Sequence, residues 1–314
     1  MVIEARAPQN QRAWMKSRVQ CVLNLALLVG TIFANMNAWA VDVQHVPAPA
    51  KAATSNPCPD ADGVNKVDGK LECLVIHTVR NKKIDAAHKG QVRQLNKHDK
   101  ASTTLLVYLH GDSSRGGLYD RHFKHFNGFA NQHTVFVGMI RPGYADSNKN
   151  ASTGSSMGGG DNYTAHNVDA VANAIQALKT KYSARRVMLV GYSGGAATAG
   201  LILGRHPDLI DDAVLIACPC DLNIRRQGWA KNIVRRSLSP HEVADKVFKT
   251  VHVTAITGAK DINTKPEQVT GYIQTLQAHG VKARYIEVPN ATHEAGIFGT
   301  ALLRQVVQSH LQRQ

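Results

Sequence analysis

The chain has 314 residues, 43% of them hydrophobic and 19% charged, with 25 Gly, 11 Pro and a formal net charge of +14. That is apolar material for one large domain or two small ones, and it excludes a disordered chain, a small disulfide scaffold and a collagen-like or low-complexity sequence. A polytopic membrane protein is excluded too, because only one apolar run is long enough to discuss.

That run opens the chain. Residues 1–18 carry Arg6, Arg12, Lys16 and Arg18 against Glu4, Val22 to Phe33 is apolar, and Ala38 and Ala40 form an A-x-A site. These are the three parts of a secretory signal peptide, and the apolar part falls short of the roughly 20 residues of a membrane span. Residues 1–40 are therefore expected to be a signal peptide cleaved after Ala40, with an uncut anchor helix as the alternative reading. Either Met1 or Met15 starts it. Cleavage leaves no transmembrane span and a periplasmic or secreted protein. It also leaves 33 Lys+Arg against 22 Asp+Glu, still +11. The basic residues are scattered and no nucleic-acid motif accompanies them, so a solvated basic surface is expected and no specific nucleic-acid partner.

Residues 41–69 are rich in Pro, Ala, Asn, Asp and Gly without periodicity, and read as an irregular lead-in; residues 70–314 read as a single domain. Leu71 to Val79 is the first predicted strand, and 80–101 is basic and polar, read as turns at a sheet edge. Apolar, β-rich runs follow at Thr103 to Leu109, Thr134 to Ile140, Arg186 to Val190, Ala213 to Ala217, Val251 to Ile256 and Ala283 to Val288. Helical spacing is seen over Asn167 to Lys179, with Thr164 as a cap, and over Ala196 to Leu203, 269–279 and 297–311. Strands buried on both faces and alternating with helices predict a mostly parallel sheet with helices on both faces. The stretch 221–245 is too short for a large lid domain and is expected to be a short helical cap or loop.

Cys21 leaves with the signal, and Cys58, Cys73, Cys218 and Cys220 remain in an exported chain, which permits disulfides. A Cys58–Cys73 bridge is expected across a short polar loop. Cys218 and Cys220 are the poorer candidate, because residues so close bridge only with strain. Cys218-Pro219-Cys220 is neither a C-x-x-C redox motif nor half of a zinc site.

Parallel sheets place their sites in loops at the carboxyl ends of strands. Gly191-Tyr192-Ser193-Gly194-Gly195 occupies such a loop, directly between a strand and a helix, and matches G-x-S-x-G. In that setting the turn exposes the central hydroxyl at a helix N-terminus. A serine needs a base and the base an orienting carboxylate. His293 follows the last strand and Asp261 the one before, giving the chain order Ser, Asp, His. Asp221 follows a strand end one strand earlier and is the competing acid.

With these residues the chain resembles an α/β-hydrolase of the serine esterase/peptidase type over about 103–312. His110-Gly111 resembles the family's oxyanion loop and Gly191 to Gly195 its nucleophile elbow. The resemblance implies Ser193 as nucleophile, His293 as base, Asp261 as acid, and an oxyanion hole from the backbone N–H of Gly194 and of Asp112 or Ser113. It implies no metal and no organic cofactor. Arg141-Pro142-Gly143-Tyr144 resembles a segment of proline-iminopeptidase-like members. His110 is expected to order its own turn rather than act as the base. Met157 to Asp161 reads as a flexible loop near the pocket, and His122 and His125 as surface residues on a helix.

The function so implied is an exported serine hydrolase that cleaves a carboxylic ester, or a peptide or amide, of a small molecule or polymer through an acyl-enzyme. The rivals are a non-catalytic binding protein on the same fold and an extracellular polyester depolymerase.

Overall fold

In the computed structural model the described residues are Cys58, 66–80, 103–113, 117–156, 163–226 and 237–313. All belong to one compact unit within Ser55–Gln314. The predicted signal peptide, the turns at 81–101 and the Met157 to Asp161 loop lie outside the described residues.

Runs rich in Val, Ile and Leu, five to seven residues long, form the central strands. The described strands are β1 (Lys66–Asp68), β2 (Cys73–Val79), β3 (Thr104–Leu109), β4 (Thr134–Met139), β5 (Arg186–Tyr192), β6 (Asp212–Ile216), β7 (His252–Gly258) and β8 (Lys282–Val288). They join in one sheet in the order β1-β2-β4-β3-β5-β6-β7-β8. β1 pairs with β2, and β2 with β4, antiparallel; the rest are parallel. β1 lies inside the segment that carried no sequence periodicity, because three residues are too few to show one.

Alternate residues of each strand feed two cores. Leu105, Val107 and Leu109 face one, with α1 (Ala165–Lys181), α2 (Gly194–Arg205) and α4 (Pro266–Ala278) over it. Leu106 and Tyr108 face the other, with the 3-10 turns Phe123–His125 and Asn127–Phe129 and helix α5 (Ala301–Leu311). Thr164 caps α1 as expected, its side chain accepting from the Asn167 N–H. β8 is less buried than the other parallel strands and carries Lys282, Arg284 and Glu287, so it forms a charged edge rather than a strand buried on both faces. Between β6 and β7 stand a five-residue helix, α3 (Leu222–Arg226), and a 3-10 helix, Pro240–Lys246.

The sheet order places the site. β4 lies on one side of β3 and β5 on the other, so the connections diverge at β3 and leave a crevice above the carboxyl ends of β3 and β5. Register sets Leu109 beside Gly191, Tyr192 beside Ile216, and Gly258 beside Val288. The segments beginning at His110, Ser193, Ala259 and Pro289 therefore leave the same end of the sheet.

Candidate active site

β5 turns into α2 at one residue. Ser193 has φ +49° and ψ −117°, a conformation that costs a side-chain-bearing residue energy and persists only where the surroundings enforce it. The surroundings are backbone. A Cβ on Gly191 would come within 3 Å of the Gly195 carbonyl and Ala196, and one on Gly195 within 3 Å of the Leu109 and His110 carbonyls. The Ser193 N–H donates to the Ile216 carbonyl on β6 at 2.8 Å, which fixes the turn from below.

His293 and Asp261 arrive from β8 and β7. Their loops are stitched together: the Lys260 N–H donates to the Ala291 carbonyl at 2.9 Å and the Ala259 N–H to the Val288 carbonyl at 3.0 Å. His293 Nε2 stands 3.0 Å from Ser193 Oγ, and its Nδ1 stands 2.8 Å from Asp261 Oδ2. Asp261 is buried, and its Oδ1 accepts the backbone N–H groups of Asn263 at 2.9 Å and Thr264 at 2.8 Å. Those bonds leave Oδ2 to face the imidazole. Asp221, the competing acid, instead accepts from the Asn223 N–H at 2.9 Å in its own loop. The histidine lines a cleft of about 240 Å³ walled by His110, Gly111, Tyr119, His122 and Tyr192.

Known proteins resemble the chain in part of its sequence and in its fold. The prolyl oligopeptidase family matches residues 160–310, the stretch that holds Ser193, Asp261 and His293. No curated protein matches the sequence significantly. Among solved structures, the chain is similar to the esterase Est1E of Butyrivibrio proteoclasticus, solved with ferulic acid bound. That likeness has a TM-score of 0.57 at 14% identity over 79% of this chain and 97% of that one. A Pyrococcus furiosus esterase gives 0.54 at 15% identity over 79% and 89%. Dipeptidyl peptidase 4 of Porphyromonas gingivalis gives 0.53 at 13% identity over 79% of this chain and 34% of that one.

The chain is an α/β-hydrolase. The matched family sets it with the serine hydrolases of ester or peptide bonds. Among the described residues of this hydrolase, no helix is long and apolar enough to cross a membrane.

The loop after β3 holds the residues that sequence reasoning read least fully. His110 donates from Nδ1 to the Gly111 carbonyl at 2.7 Å and accepts the Arg141 N–H at Nε2, 3.0 Å away. Burial and the Arg141 charge lower its pKa to about 3, so it stays neutral and structural. The Asp112 carboxylate ion-pairs with Arg141 and accepts the hydroxyls of Tyr144 at 2.6 Å and Tyr163 at 2.5 Å. Burial alone would raise its pKa; Arg141 and the two hydroxyls outweigh it and hold the pKa below the usual value. The Arg141–Tyr144 segment thus has a purpose that its sequence resemblance did not reveal: both ends grip Asp112 in the loop after β3.

His122 is a correction. It was expected on the surface, yet it is buried, with Nδ1 3.0 Å from the Tyr108 hydroxyl and Nε2 2.9 Å from Glu294 Oε1. Its partner sits 172 residues away, so nothing local marked it. His125 is half-buried against Phe298. Glu294, next to His293, also ion-pairs with Arg121 at 2.5 Å and receives the Tyr192 hydroxyl at 3.4 Å. Burial opposes its ionisation, but His122 and Arg121 hold its pKa below normal.

Cys58 and Cys73 are paired, with Cα atoms 5.5 Å apart. Cys218 and Cys220, judged the poorer candidate, are paired as well at a Cα separation of 5.0 Å. The bend that brings them together starts at Ala217, whose φ is +47°. Both Cys218 and Cys220 are fully buried.

Proposed function

We propose that this hydrolase cleaves a carboxylic ester, with amides and peptides as secondary substrates, through an acyl-enzyme on Ser193. The observation that carries the reading is the unbroken hydrogen-bonded line Ser193–His293–Asp261 across three strand ends. Ser193 Oγ attacks the substrate carbonyl while His293 Nε2 takes its proton. Asp261 holds the imidazole with its other N–H at Nδ1 and stabilises the imidazolium. The tetrahedral oxyanion is received by the N–H of Gly194, at the first turn of α2, and by that of Asp112 or Ser113. Each such donor contributes about 3–4 kcal/mol to the transition state. His293 then protonates the leaving alcohol, and water resolves the acyl-enzyme by the same steps.

The cleft argues for a small acyl group. Its volume of about 240 Å³ lies below the usual range for drug-sized ligands, about 300–1,000 Å³. Tyr119, His122 and Tyr192 supply aromatic walls, which favour an aryl or arylalkenyl acyl group; the ferulic acid in the Butyrivibrio esterase is of that kind. The paired cysteines and the signal-like N-terminus support an exported enzyme, periplasmic or secreted.

Turnover of short p-nitrophenyl and aryl-acyl esters by the wild type and by Ser193→Ala tests the reading. A fluorophosphonate should add once, at Ser193, and stop turnover, and Ser193→Ala should lose about 10⁶-fold in kcat. Turnover unchanged in Ser193→Ala removes the proposal. Export is tested by the intact mass of envelope-derived protein, expected to begin at Val41; a mature species retaining Trp14 and Trp39 counts against it.

A further inference from the structure

Arg141 takes no part in the line from Ser193 to Asp261, yet it is bonded to both segments that flank the cleft behind the serine. It is buried, and from the end of β4 its side chain reaches two ways. One way it ion-pairs with Asp112 in the loop after β3. The other way its NH1 donates to Thr198 Oγ1 at 3.3 Å, and that hydroxyl donates to the Gly194 carbonyl at 3.0 Å. Its backbone N–H makes a third tie, to His110 Nε2. A single residue therefore joins the β3 loop to the first turn of α2.

The charges matter as much as the ties. A Cβ on Gly194 would come within 3 Å of the Asp112 carboxylate, so a fixed negative charge lies against the residue that begins α2. The proposed reaction creates a second negative charge in the same neighbourhood. Two like charges at short range in a water-poor site oppose each other by several kT unless a cation offsets one. Arg141 is the cation paired with Asp112. The Tyr144 and Tyr163 hydroxyls fill further acceptor positions of the carboxylate and hold it in this place.

We propose that Arg141 is a positioning residue for ester cleavage: it sets the spacing between the N–H donors of the β3 loop and of Gly194, and it cancels the Asp112 charge so that an oxyanion is accepted there. The inference rests on the reading of Ser193 as nucleophile. A plain structural ion pair would hold the fold together without preferring the transition state over the substrate. The positioning role must show in that preference.

Two variants read it. Arg141→Lys keeps a cation but lacks the planar fork that reaches Asp112 and Thr198 together. The double variant Arg141→Met with Asp112→Asn leaves no unpaired buried charge, so it keeps the test readable if a single substitution unfolds the protein. Both are assayed for kcat, KM, thermal midpoint and affinity for phenylboronic acid, whose boron takes the serine oxygen as a fourth ligand and mimics the tetrahedral state. The expected result for Arg141→Lys is a fall of about 10²-fold in kcat, with KM within about threefold and boronate affinity falling in step with kcat; the double variant, which loses the ties but has no Asp112 charge left to cancel, should fall by about tenfold in the same pattern. Folded variants that keep kcat and boronate affinity within about threefold of wild type overturn the inference. A separate arm guards the premise. If fluorophosphonate fails to label wild-type Ser193, the nucleophile assignment fails and the Arg141 role falls with it; if labelling succeeds and the variants behave as wild type, only the Arg141 role falls.

Discussion

Replacing Asp261 by Asn changes one heavy atom and leaves the shape alone, yet the structure dictates a large effect. The carboxylate Oδ1 accepts two backbone N–H groups, from Asn263 and Thr264. In Asp261→Asn the side-chain carbonyl must keep that place, because an amide nitrogen cannot accept. The amide NH2 then faces His293 Nδ1, 2.8 Å away where Oδ2 had been. A donor there forces Nδ1 to present its lone pair, so the imidazole proton moves to Nε2. That proton points at Ser193 Oγ, 3.0 Å off, and the base is lost. Wrong-tautomer substitution costs about 10⁴-fold in kcat, about 5.5 kcal/mol of transition-state stabilisation. The assay is steady-state hydrolysis of a short p-nitrophenyl ester, with Asp221→Asn as the control. Asp221 bonds within its own loop, so that control should keep near wild-type kcat. An Asp261→Asn enzyme within about tenfold of wild type, or a 10⁴-fold loss confined to Asp221→Asn, refutes the tautomer argument.

Three further outcomes are expected. His110 has a folded pKa of about 3 against 6.5 in the unfolded chain, so the unfolded state binds the extra proton as pH falls between those values. Stability should therefore be lost on acidification across that window, by up to about 1.4 kcal/mol per pH unit from this residue, and His110→Gln should flatten the slope in urea titrations. Gly191→Ala drives a methyl against the backbone of Gly195 and Ala196, which cannot move aside; a loss of about 3 kcal/mol or more is expected in thermal or urea unfolding, together with loss of esterase turnover. The Cys58–Cys73 pair closes 15 residues, so its removal in Cys58→Ser with Cys73→Ser should cost about 3 kcal/mol in urea unfolding. Non-reducing peptide mapping should first recover that cross-link, and free thiols at both positions would contradict it.

The parallel strands β3 to β7 are legible in the sequence because each is a largely apolar run, and β8, interrupted by Arg284 and Glu287, is legible by its Tyr285, Ile286 and Val288 and by the Pro289 that stops it. Ser193, Asp261 and His293 are legible as a set because each directly follows such a run, and the stops of adjacent parallel strands lie at one end of a sheet. What the sequence hid is of another kind. Asp112 and Arg141 look like solvated charges in loops, and only the parallel pairing of β3 with β4 brings the two loops together. His122 and Glu294 are 172 residues apart, and nothing short of the fold pairs them. β1 is too short for its pattern to register. The Cys218–Cys220 pairing depends on a left-handed residue at Ala217, a backbone choice that alanine does not advertise.

The helix that follows Ser193 opens with seven small residues, Gly194-Gly195-Ala196-Ala197-Thr198-Ala199-Gly200, and every position from Gly194 to Gly204 is buried. Gly200 lies against Pro240 and Gly204 against Val243, so the 3-10 segment presses on its outer side as the sheet does on its inner. Glycines at these positions give α2 little helix tendency of its own; it holds its form because both sides are covered. Its amides should then exchange with solvent only when the whole domain opens, ranking with those of β3 and β5 and slower than those of α5. The serine's mount has no partly melted state to visit, and heating should cost the protein its active conformation and its global fold at one temperature.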